Sequence, residues 1–210
     1  MISEQTELPA TPNATDWTRV GTTGHAVQFY EHDAILADQL ASYVGTALVC
    51  GDGAIVIGTS RRRHHLRARL LLRGLNPGIA LREGRYVSLD AEDTLRRIVG
   101  PNGWPDPTLF RDVVGRTIDR VVAAVGPVRP RIAAFGEMVA LLCSTGDYAA
   151  ALRLEELWND VAGTRAFSLI CAYPMSLFKH DTSAAARFMK ICAQHSHVFS
   201  VVQRREREAF

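Results

Sequence analysis

From His25 onward, short apolar runs alternate with longer stretches in which apolar residues recur every three or four positions, and this alternation constrains the fold more than any other feature of the chain. A strand followed by an amphipathic helix and another strand is the βαβ unit, whose strands lie parallel. The pattern predicts strands at 25–30, 54–58, 86–89, 132–136 and 167–173. Residues 54–58 are apolar throughout, as expected of a strand covered on both faces. Helix signals fall between the strands: Asp33 is placed to cap a helix ending at Gly51, and Thr59 or Ser60 to cap one ending at Gly74. Asp90, Asp106 and Asp147 occupy equivalent positions before later helices, and a last helix is predicted over about 183–195. The class is therefore α/β, with a mainly parallel sheet of about five strands.

With 210 residues, 47% apolar side chains and 22% charged ones, the chain is long enough for one well-buried core, and it has no internal linker that would separate two. Residues 1–24, with Pro9, Pro12 and no apolar period, read as a flexible leader; 25–197 form the domain, and 198–210 a polar tail. A net charge of +2 gives no whole-surface attraction to nucleic acid or to an anionic membrane. No apolar run approaches the ~20 residues of a membrane-spanning helix, and the start lacks a signal-peptide pattern, so a cytoplasmic location is expected. Cys50, Cys143, Cys171 and Cys192 are widely spaced without a CxxC pair, which suits reduced thiols.

Ligands of open parallel sheets bind beyond the carboxyl ends of the strands. That rule nominates Gln28, Tyr30, Glu31, His32 and Asp33, then Thr59, Ser60 and Arg61, then Asp90, Glu137, Cys171, Tyr173 and Met175. Asp33, Ser60 and Asp90 read first as helix caps, and Glu137 equally as a first-turn acid favoured by the helix dipole. The loop after the first strand, FYEHDAILAD, has neither glycine nor lysine, so it lacks the backbone wrap and charge of a phosphate-binding loop. Glu31 and Asp33 there would repel a triphosphate, and an uncharged or cationic ligand is expected instead. Cys192, His195 and His197 form a C-x2-H-x-H string without an obvious fourth donor, and no metal is assigned to them. The basic run Arg61–His65 has no interleaved aromatics and reads as the solvated face of a helix, so no direct nucleic-acid contact is expected. No nucleophile-elbow motif is present, and no catalytic residue or cofactor is assigned.

The strings HAVQFYEHD (25–33), GDGAIVIGTSRRRHHLRARL (51–70), FGEMVALL (135–142), ALRLEELWN (151–159) and SLICAYPM (168–175) resemble the MEDS family, a sensory domain of methanogen and methylotroph regulators of the dichloromethane-repressor type. The resemblance covers about 24–197 and implies a three-layer, RecA/KaiC-like αβα sandwich that has lost its phosphate loop and senses a small organic, hydrocarbon-like molecule. His25, Gln28, Tyr30, Glu31, Asp33, Glu137, Cys171 and Tyr173 fall in the family strings; with Thr59 and Ser60 they make up the expected ligand-binding set. The resemblance also implies an output module. The sequence shows neither a helix-turn-helix nor a kinase, so output is expected through a signalling partner, a histidine kinase or regulator, or through a homodimer. Two other readings remain open: an assembly module docking through the basic helix, and a degenerate nucleotide-binding protein with Glu137 as its acid.

Overall fold

A computed structural model describes residues 17–126, 131–178 and 183–200. Six parallel strands form one sheet: β1 (His25–Tyr30), β2 (Gly53–Gly58), β3 (Tyr86–Asp90), β4 (Ile132–Gly136), β5 (Ser168–Pro174) and β6 (His197–Ser200), in the order β3-β2-β4-β5-β1-β6. Helices α1 (Asp33–Val49) and α2 (Ser60–Leu72) cover one face, where Leu36, Leu40, Val44, Leu66 and Leu70 pack on Val56, Phe135 and Ile170. The short α3 (Pro77–Arg82) adds Ala80 to this layer. On the other face lie α4 (Ala91–Ile98), α5 (Pro107–Phe110), α6 (Arg116–Val125), α7 (Met138–Ser144), α8 (Tyr148–Ala162) and α9 (Ala184–Ala193). Ile98, Phe110, Ile118, Leu154, Trp158 and Ile191 form the core there against Ile55, Ile57 and Leu169. The result is a three-layer αβα sandwich. A π turn, Arg111–Gly115, joins α5 to α6.

Side chains alternate between the two layers along each strand, and this parity decides what the strands contribute. In β1, Ala26 and Tyr30 belong to the α1/α2 core, whereas Val27 and Phe29 belong to the other. In β5, Ile170 and Ala172 go to the first layer, and Leu169, Cys171 and Tyr173 to the second.

Local chemistry settles one choice that the sequence left open and corrects three of its expectations. Thr59, rather than Ser60, caps α2, its hydroxyl accepting from the Arg62 amide at 3.3 Å. Asp33 is the first residue of α1 and not its cap; His32 holds the cap position without a side-chain bond, because the Asp33 carboxylate is drawn to arginines. Within the expected leader, Trp17–Val20 form a 3-10 turn with Trp17 and Val20 buried, the indole donating to Gln28 Oε1 at 2.9 Å. Finally, β6 pairs Ala26 with His197 and Phe29 with Ser200, so a sixth strand begins where the domain was expected to end and a tail to start. The remainder of the leader, 1–16, and of the tail, 201–210, lies outside the described residues.

Candidate functional site

At the carboxyl edge of the sheet, β2 runs directly into α2, which places Arg61, Arg62 and Arg63 in the first turn of a helix whose dipole disfavours cations. Each is compensated by a carboxylate. Arg61 lies 3.3 Å from Asp33, and Arg63 2.7 Å from Asp90. Arg62, 5% exposed, donates from Nε to Glu137 at 2.7 Å and from Nη2 to Asp33 at 3.0 Å and the Tyr30 hydroxyl at 3.2 Å. Its guanidinium also sits 5.4 Å from the centre of the Tyr30 ring. Glu137 accepts from the Thr59 amide at 3.0 Å, which satisfies its second oxygen. The backbone must come close here. A Cβ on Gly58 would lie 3.3 Å from both Arg62 Cγ and Glu137 Oε2.

Burial opposes the charge on Arg62, but Glu137 outweighs it and raises its pKa further. Burial also pushes the Tyr30 phenol up to about 12, partly offset by Arg62. The acidic crevice expected from Glu31 and Asp33 is thus corrected: arginines that follow β2 neutralise it. What remains open is about 240 Å³, lined by Tyr30, Asp33, Arg61, Arg62, His65 and Glu137.

A larger cavity, about 510 Å³, lies at the opposite edge, where the second half of α1 faces the beginnings of β4 and β5. Trp17, Gln39, Tyr43, Ala47, Ile132 and Ala133 contribute to its wall. The Tyr43 hydroxyl is engaged by Ser168 Oγ at 2.7 Å, and its ring meets Trp17 edge-on at 5.5 Å. Gln39 differs. Its side-chain oxygen and nitrogen are both buried, and neither has a hydrogen-bond partner among the described residues.

The third polar group is sealed beneath the sheet on the α8/α9 side. His25, Glu155, Cys171 and His195 bring one ligand-type atom each to within 4.8 Å of one another. Glu155 accepts from the Tyr173 hydroxyl at 2.6 Å and from the Cys171 thiol at 3.3 Å. Burial pushes the Cys171 and Tyr173 groups well above their ordinary values, and the Glu155 charge adds to both shifts. Burial alone would raise the Glu155 carboxyl, but His195 and His25 outweigh it and hold it well below the usual range. For His195, burial opposes charge and Glu155 outweighs it, raising the pKa.

The ten residues expected to share one pocket therefore separate. Tyr30, Asp33, Thr59 and Glu137 meet at the crevice, with Glu31 and Ser60 exposed at the same edge. His25, at the amino end of β1, joins Cys171 and Tyr173 in the sealed group, because odd positions of β1 and β5 face that layer. Gln28 is fully buried under Trp17. Of the Cys192, His195 and His197 string only His195 reaches the group; the His197 side chain contacts Ser196. Sequence reasoning missed Glu155, Gln39 and Arg62. Glu155 carried a signal, being an acid on the stripe that also holds Ala151, Leu154 and Trp158.

Taken together, these features define a parallel α/β domain in which one crevice is closed by ion pairs and a separate cavity carries an unpaired amide. Residues 24–189 match the family described as MEDS, the methanogen/methylotroph, DcmR sensory domain, and the chain belongs to that family. No curated protein matches it. Among the described residues no helix is long and apolar enough to cross a membrane.

Proposed function

We propose that this sensory domain binds a small, largely apolar organic molecule in the cavity beneath Trp17, and not in the strand-end crevice. The observation that carries the reading is the Gln39 carboxamide, buried in the cavity wall with both polar atoms unpaired. Such a group costs about 1–3 kcal/mol of desolvation, which a ligand offering one donor and one acceptor beside an apolar body would recover once the carboxamide turns into the cavity. A volume of about 510 Å³ suits a small molecule, within the ~300–1,000 Å³ usual for such sites. The crevice suits one less well, since Arg62 already occupies its centre.

The role is binding and not catalysis: Glu137, the acid best placed for chemistry, is engaged by Arg62 and Thr59. Output passes to a signalling partner or a second copy of the chain. Leu72, Ile79 and Leu81, exposed by 80%, 50% and 54% on α2 and α3, are the apolar surface that favours such a contact.

The test is a thermal-shift and calorimetric screen of the full chain with short-chain primary amides, the matching alcohols and the matching alkanes. Amides are expected to raise the melting temperature more than alkanes of equal length. Gln39→Leu should stabilise the ligand-free protein by about 1 kcal/mol and abolish the preference for amides. Equal shifts for amide and alkane, or an amide preference that survives Gln39→Leu, would remove Gln39 from the reading.

A further inference from the structure

We infer that the chain holds one divalent cation of the zinc type between His25, Glu155, Cys171 and His195. These residues come from β1, α8, β5 and the turn after α9, and all four side chains are sealed from solvent or nearly so.

The imidazoles carry the argument. His25 Nδ1 lies 2.8 Å from the Asn159 side-chain oxygen, while the Asn159 amide nitrogen donates to the Gln194 carbonyl at 3.0 Å. That second bond fixes the Asn159 oxygen as the acceptor, so His25 Nδ1 carries the proton. His195 Nδ1 likewise faces the Ile191 carbonyl at 2.7 Å, an acceptor only. With Nδ1 committed to an oxygen in each ring, both turn Nε2 toward Glu155 and, in the neutral form a metal would bind, present its lone pair there, the arrangement in which a backbone or side-chain oxygen orients a ligating histidine from its far nitrogen. His195 Nε2 is buried there with no hydrogen-bond partner among the described residues.

The distances fit. His25 Nε2 lies 3.4 Å from Cys171 Sγ and 3.3 Å from Glu155 Oε2; Cys171 Sγ lies 3.3 Å from that same oxygen, and His195 Nε2 3.4 Å from Glu155 Oε1. For metal–ligand bonds of about 2.0–2.3 Å, the edges of a tetrahedron are about 3.3–3.8 Å. No pair exceeds 4.8 Å, so closing on an ion requires contraction of about 1.5 Å at most.

Charge and hydrogen-bond supply agree. With the imidazoles neutral, Nε2 of each histidine, the sulfur and both Glu155 oxygens crowd together as acceptors, and among the described residues only the Cys171 thiol and the Tyr173 hydroxyl donate to them. A divalent ion removes the conflict. As it binds, the Cys171 S–H bond breaks, the sulfur donates the electron pair to the metal, and the proton goes to solvent. The thiolate, the carboxylate and the +2 ion then sum to zero in a buried site, with both imidazoles neutral. The mix of two nitrogens, one sulfur and one oxygen suits zinc, and four protein ligands leave no open position, so the ion ties α9 and β6 to the sheet and does not activate water.

To test this, the full chain is expressed in minimal medium supplemented with Zn²⁺ or Co²⁺, so that the ion is present as the chain folds, and its metal content and absorption spectrum are measured. One ion per chain is expected, with a thiolate-to-cobalt charge-transfer band and the visible bands of tetrahedral cobalt. Cys171→Ser should remove the charge-transfer band; Cys192→Ser and His197→Gln should leave it. Asn159→Leu, which keeps every ligand but releases the His25 ring, should weaken affinity about 10- to 100-fold and covers the case in which Cys171→Ser does not fold. Well under one ion per chain, a band that survives Cys171→Ser, or one lost in Cys192→Ser would overturn the assignment.

Discussion

Replacing Arg62 by Met removes the guanidinium donors from the strand-end crevice while keeping most of the side-chain volume. Glu137, 5% exposed, then loses its 2.7 Å partner and keeps only the Thr59 amide at 3.0 Å and hydroxyl at 3.3 Å. Breaking a buried ion pair from one side costs about 3–5 kcal/mol, because the remaining charge is left uncompensated. The Thr59 bonds place this case at the lower end, about 3 kcal/mol, since one carboxylate oxygen stays satisfied. Asp33 adds little, being 41% exposed and still facing Arg61 at 3.3 Å. For a domain of this size, about 3 kcal/mol lowers the melting temperature by roughly 6–12 °C. The double variant Arg62→Met/Glu137→Leu buries no charge and should recover more than half of the loss, which is the signature of desolvation rather than lost packing. Urea unfolding with an unchanged m-value measures both. A single variant within 1 kcal/mol of the parent, or a double variant as costly as its two singles added, would show that water reaches the carboxylate and that the crevice is open.

Two further outcomes follow from the same reasoning. Asp90 caps α4 through the amides of Glu92 and Asp93 at 3.0 and 3.1 Å, and the Asp93 amide foremost, with Arg63 assisting, lowers its pKa against the opposing effect of burial. A lowered folded-state pKa contributes stability above the unfolded value of about 4 that is lost as pH falls through the folded one. Asp90→Ala should therefore cost about 1 kcal/mol at pH 7 and progressively less below about pH 4, read from urea midpoints across pH. Trp17→Phe keeps an aromatic ring against Tyr43 but leaves the fully buried Gln28 Oε1 without its donor, and should cost about 1–3 kcal/mol by the same assay. A neutral Trp17→Phe would mean that the indole does not seal Gln28.

The fold was legible because its signals are local and repeated. Five apolar runs, each followed by a helix, leave little choice besides a parallel sheet, and the caps at Asp90, Asp106 and Asp147 all bond as their spacing predicts. The two ends were less legible for a physical reason. His197–Ser200 has only Val198 and Phe199 as apolar members, so nothing in its composition announces a strand; it becomes one because β1 offers an open edge. Trp17 likewise has no periodic neighbours, and its burial depends on Gln28, Tyr43 and Phe135, residues far along the chain.

The site residues were recognisable singly, but their grouping was not, because grouping depends on which side of the sheet each side chain takes. His25, Cys171 and Tyr173 share odd positions, so they meet Glu155 under α8, while Gln28 and Tyr30, one residue away from that series, turn to α1 and α2. A rule that gathers residues by strand end reads along the sheet, whereas the alternation of side chains sorts them across it. Glu155 is the residue on which the distinction turns. Read along the helix it is one acid beside another, Glu156, in an ordinary charged stretch, yet α8 presents Glu155 with Leu154 and Trp158 to the core and leaves Glu156 outside with Arg153. An acid on a core stripe has to be met by something, and in this fold what meets it are a thiol, a tyrosine hydroxyl and a histidine from the segments that follow α8, and a second histidine, His25, from the first strand.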